Sequence, residues 1–107
     1  MRKEYNKLVR DRIPEIIRQV GHKYEVTTLS GSEYHQALRN KLLEEAQEVA
    51  SATPEDLIKE IADLYEVIDA VLAAHRIHHD AVLEEQKRRR VERGGFKQRI
   101  CLLWTED

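Results

Sequence analysis

The chain has 107 residues, enough for one domain spanning 1–107 with a thin core. Charged residues make up 36% and aromatics only 6%, a balance that suits long helices with solvated faces rather than an all-β domain. The net charge of −2 gives no global field to recruit nucleic acid or an anionic membrane, and one cysteine, Cys101, excludes an internal disulfide or a zinc cluster.

In chain order, Met1 to Arg12 is too charged for a signal peptide. Pro14 stands in a first turn, so Asp11 to Val20 reads as a short helix closed by Gly21. His22 to Leu29 is a short β-prone run. Ser30 and Glu33 have capping-box spacing, and a helix follows to about Ala50. Thr53, Pro54, Glu55 and Asp56 form a second start signal, with a capping hydroxyl, proline and two acids, for a helix to about His75. That stretch is too interrupted by charge to span a membrane, which points to a cytosolic protein. A third helix runs from about His79 to Glu92 and stops at Gly94 and Gly95. Arg99 to Trp104 is a terminal strand candidate that could pair with Tyr24 to Leu29. The fold expected is all-α, an antiparallel helix hairpin or bundle with a short C-terminal β segment.

The two central helices carry the chemistry. Leu38, Leu42, Ala46 and Val49 form the apolar stripe of the first, and Glu45 projects about 20° from Leu38, within that stripe. The second buries Leu57, Ile61, Leu64, Ile68 and Leu72, with Glu60, Asp63 and Val67 along one edge. The short connection, Ser51 to Thr53, forces an antiparallel hairpin in which residues whose numbers sum to about 105 lie level. Glu45 then faces Glu60, with Glu48 and Asp63 about one turn to either side. Four carboxylates so placed repel one another unless a cation joins them, and all-oxygen ligands select Mg²⁺ or Mn²⁺. A solvated acidic face is the plain alternative, because Glu-x-x-Glu spacing is frequent in acid-rich helices.

The segments Lys41 to Glu48 (KLLEEAQE) and Glu60 to Ile68 (EIADLYEVI) resemble the metal-binding helix pair of the MazG-like, all-α nucleoside triphosphate pyrophosphatases. Asn6 to Ile17 (NKLVRDRIPEII) resembles the opening of a compact subgroup, and Arg93 to Phe96 (RGGF), with Arg99 and Ile100, its closing segment. The resemblance implies Glu45, Glu48, Glu60 and Asp63 as catalytic Mg²⁺ ligands. It also implies hydrolysis of an NTP or dNTP to monophosphate and pyrophosphate, in nucleotide clean-up or in a pathway like that of phosphoribosyl-ATP pyrophosphohydrolase. Only 11 residues separate Glu48 from Glu60, fewer than in many members, so base recognition does not transfer.

Other residues carry two readings each. Lys41 pairs within its helix or touches phosphate. Lys7, Arg10 and Arg12 face polyphosphate or form a solvated arm. Arg93, Gly94 and Gly95 approach phosphate through backbone amides or simply stop a helix. Glu44 reads as a base beside the metal ligands or, in preference, a solvated neighbour; His75, His78 and His79 as transition-metal ligands or, in preference, surface or cap residues; Cys101 as core; and Tyr65 and Trp104 as stacking on a base or, by default, as core or interface. A nucleic-acid-binding helical module is disfavoured by the near-neutral charge. A carboxylate-bridged di-iron bundle is disfavoured because no Glu has a His three residues later, and an iron spectrum of the purified protein would revive it. The thin cover over both central helices predicts a homodimer or larger homo-oligomer.

Overall fold

The computed structural model describes residues 1–107 as four helices: α1 (Ile13–Gln19), α2 (Gly31–Ser51), α3 (Leu57–Ala74) and α4 (His79–Arg93). The local signals explain where each begins and ends. Ser30 Oγ accepts the Glu33 amide at 3.3 Å while the Glu33 carboxylate accepts the Ser30 amide at 3.0 Å, closing the capping box of α2. The Ser30 amide, and then its hydroxyl, hold the Glu33 carboxyl below its ordinary range. His78 caps α4 with Nδ1 accepting the Asp80 amide at 3.3 Å. Gly94, at φ +81°, ends α4 in a backbone region that other residues enter only with strain.

Two boundaries differ from expectation. Asp11 and Arg12 form a turn rather than the start of α1. The Thr53–Pro54 signal nucleates a turn, with the Asp56 amide donating to the Thr53 carbonyl at 3.0 Å, and α3 begins at Leu57. A larger correction concerns the two β-prone runs. Neither His22 to Leu29 nor Arg99 to Trp104 forms a strand, because neither finds a ladder partner within the chain. The expected C-terminal β segment is therefore absent, and the fold is all-α.

α2 and α3 are the only helices that pack extensively on each other. Their seam is turned slightly from the predicted stripes. Leu38 and Val67 are the two buried residues, whereas Ala46 is exposed and Leu57 is partly so. Both buried positions lie on the lines that also carry the acids: Leu38, Lys41 and Glu45 on α2, and Glu60, Asp63 and Val67 on α3. In the antiparallel register Leu38 lies level with Val67 and Glu45 with Glu60. One seam thus has an apolar end and an acidic end, about 10 Å apart along the axis.

Outside the hairpin the chain stays open. It extends 60 × 33 × 27 Å with a radius of gyration of 18.6 Å, against about 13 Å for a closed domain of this length. Its accessible surface is 10377 Å², where a folded monomer of this mass would expose about 6,200 Å². No helix is long and apolar enough to cross a membrane.

Candidate metal centre

The acidic end of the seam brings Glu45, Glu60 and Asp63 together, with one carboxylate oxygen from each within 4.8 Å of the others. Glu60 and Asp63 stand three residues apart on one face of α3, and the short connection sets Glu45 opposite them. Glu45 and Glu60 are largely withdrawn from water, at 12% and 14% side-chain exposure. Glu48 is exposed and stands outside the group. It lies one turn toward the connection, while Asp63 lies one turn away from it, so the antiparallel geometry separates the two.

Each acid of the group has a basic neighbour. Arg10 donates to Asp63 at 2.7 Å, Lys59 to Glu60 at 3.4 Å, and Lys41 lies 3.6 Å from Glu45. Lys41 also donates to Glu44 at 3.1 Å, and Lys7 donates to the other oxygen of Glu44 at 3.0 Å. Glu44 is thus the tie between the N-terminal arm and α2 rather than a solvated neighbour. The Lys7 hydrogen bond, then that of Lys41, hold its carboxyl below the ordinary range. Its i, i+3 spacing from Lys41 was the one sequence signal for this role.

The arm and hairpin enclose a cleft of about 410 Å³, a size typical of small-molecule sites. Lys7, Arg10, Lys41, Glu45 and Asp63 line one side, and Tyr5, Val9, Ile13 and Ile17 supply apolar surface. A hollow of about 460 Å³ beside the α3–α4 junction, lined by Leu72, Ala73 and Ile77, carries no comparable acid group. Arg12 pairs with Glu15 at 3.0 Å and does not line the cleft, nor do Arg93, Gly94 and Gly95 at the end of α4. His75 caps the C-terminus of α3 and meets His35 with the rings tilted by 51° and their centroids 4.6 Å apart.

The family model described as phosphoribosyl-ATP pyrophosphohydrolase matches residues 2–90, which include the arm, the hairpin and nearly all of α4. The chain belongs to the phosphoribosyl-ATP pyrophosphohydrolase family. This membership agrees with the resemblance to the MazG-like superfamily and supports a pyrophosphohydrolase-type enzyme. An uncharacterised protein of Mycolicibacterium smegmatis (strain ATCC 700084 / mc(2)155) is 51% identical over 49 residues, which are 46% of this chain. The match spans 50% of that relative's length. No solved structure matches the chain.

Proposed function

We propose that this protein is a Mg²⁺-dependent nucleotide pyrophosphohydrolase that converts an NTP or dNTP to the monophosphate and pyrophosphate. The observation that carries this reading is the convergence of Glu45, Glu60 and Asp63 beside a cleft that Lys7, Arg10 and Lys41 also line. The donor set fits the ion, since three clustered carboxylates form an all-oxygen, strongly anionic site of the kind that holds Mg²⁺ or Mn²⁺. Glu48, one turn away, would complete the set through a side-chain rotation or a bridging water. When bound, the ion supplies charge neutralisation for the phosphates and lowers the pKa of water.

The chain's own residues do the rest. Lys7, Arg10 and Lys41 neutralise and orient the polyphosphate, and the apolar wall of Val9, Ile13 and Ile17 receives the sugar and base. Water attacks the α-phosphorus, the bond from that phosphorus to the α,β-bridging oxygen breaks, and pyrophosphate leaves. The proton from the water passes to a carboxylate of the group. Family membership also favours a second substrate reading, in which phosphoribosyl-ATP is the nucleotide cleaved. A nucleotide substrate suits the cytoplasm.

We further propose that the working form is a homo-oligomer, since the chain exposes about 4,000 Å² more than a closed monomer should. The test of the activity is a panel of canonical and modified nucleotides, including phosphoribosyl-ATP, assayed with Mg²⁺ and with EDTA. Pyrophosphate released only with Mg²⁺ supports the reading. Orthophosphate and a nucleoside diphosphate as products would place the cut at the wrong bond.

A further inference from the structure

We infer that the C-terminal segment, Phe96 to Trp104, is an exchanged arm that packs against a second copy of this chain. This rests on the reading that copies associate, and goes beyond it by assigning the surface. Phe96 is 98% exposed, Leu103 85%, Ile100 80% and Trp104 73%, and Leu102 lies between them equally open. Water contact on that many large apolar side chains within nine positions is strongly unfavourable, so the segment needs a cover.

Its backbone is equally incomplete. From Ile100 onward no amide or carbonyl is hydrogen-bonded within the chain. Backbone with free amides and carbonyls, carrying apolar side chains, is the arrangement that completes itself on another chain. The rest of this chain does not provide the cover, because α2 and α3 pack on each other and no helix pairs extensively with α4, which leads into the segment.

A second copy is the occupant that the surface arithmetic selects. The excess of about 4,000 Å² per chain, about 8,000 Å² for a pair, is on the scale of obligate self-association, beyond the 1,200–2,000 Å² total of an ordinary pairwise complex. The molecule also offers a matching apolar surface. α3 carries an outer stripe, Ile58 and Tyr65, seven residues apart on one face and 84% and 64% exposed. In a two-fold assembly the arm of each copy lies on the α3 surface of the other, so both exposed surfaces are covered by one symmetric contact. A net charge of −2 sets little repulsion against it.

The segment contains its own reporters, because Trp104 is the only tryptophan and Cys101 the only cysteine. In the full-length protein at micromolar concentration, light scattering should give a multiple of the monomer mass. Trp104 emission should be blue-shifted and shielded from acrylamide, and Cys101 should react with a thiol reagent many-fold more slowly than in the denatured chain. Leu103→Asp should lower the mass to that of the monomer and expose both reporters, and Leu102→Ser, a milder change, should make the mass more dependent on dilution. Circular dichroism shows which of the two variants retains its helices and is to be read. A monomeric parent overturns both the association and the arm. An assembled parent with a freely quenched Trp104, or a folded Leu103→Asp protein of unchanged mass, overturns the arm alone.

Discussion

The α2–α3 hairpin and the C-terminal third use their apolar residues in opposite ways. The hairpin turns Leu38 and Val67 inward and, on the same seam, gathers three acids from two helices. The α4 helix and the segment after it bury nothing, although Val91, Phe96 and Leu103 are as apolar as anything in the seam. The difference separates two tasks. The acid group is brought together by contacts local to one hairpin, while the apolar residues of the C-terminal third find no cover within the chain.

The largest expected effect falls on the hairpin side. Glu45→Gln keeps the shape of the side chain and removes one charge from the acid group. Catalysis should fall by orders of magnitude while the protein stays helical and assembled. Melting curves in EDTA should show unchanged or slightly higher stability, since like-charge repulsion falls. Mg²⁺ should raise the melting temperature of the parent and much less that of the variant. Equal Mg²⁺ shifts in both proteins, with full activity retained, would remove Glu45 from the site.

Truncating one leucine from each region sharpens the comparison. Leu38→Ala opens a hole at the apolar end of the seam and should cost about 2–5 kcal/mol in urea unfolding. Leu103→Ala should act through association instead. Its unfolding midpoint should fall further as the protein is diluted, because partner binding stabilises in proportion to the logarithm of concentration. Equal dilution dependence for the two variants would erase the distinction.

The smallest effect is that of pH on the arm. The folded pKa of Glu44 lies below its ordinary value, so its ion pairs contribute fully above the ordinary carboxylate range and are lost as pH falls through the depressed folded value. The stability difference between the parent and Glu44→Gln should be constant near neutrality and vanish in acid. Because Glu44 and Lys7 are partly exposed, it should also shrink at high salt. A difference that persists at low pH would assign the contribution of Glu44 to packing rather than to charge.

The residues that could be read in advance are those governed by short-range rules. Ser30 and Glu33 announce a helix start, and a three-residue connection between two periodic helices fixes the level pairing of Glu45 with Glu60. Glu48 shows the limit of that reasoning. Spacing and antiparallel register make it equivalent to Asp63, each one turn from the Glu45–Glu60 level, and only the three-dimensional structure shows that Asp63 joins the group while Glu48 stays exposed. The Arg10 and Lys7 contacts join the arm to positions 53 and 37 residues away, which no local pattern encodes. Tyr24 to Leu29 and Arg99 to Trp104 have strand composition, yet a strand exists only when paired, and the chain contains no such pairing. Cys101 was expected in a core through its apolar neighbours, and it is exposed because those neighbours are exposed with it.

The 2.7 Å contact between Arg10 and Asp63 has a consequence for how the centre fills. The chain supplies its own competitor for one of the three acids, and that competitor belongs to the arm rather than to the hairpin. A dication that took the Asp63 oxygen held by Arg10 would displace the guanidinium and break one of the two ion pairs that tie the arm to the hairpin. Reciprocity would then apply: whatever holds Arg10 elsewhere would tighten ion binding by the same factor that the ion weakens the Arg10–Asp63 pair. A polyphosphate that captured the freed Arg10 would be such an agent, and nucleotide and metal would then be cooperative ligands through one basic side chain.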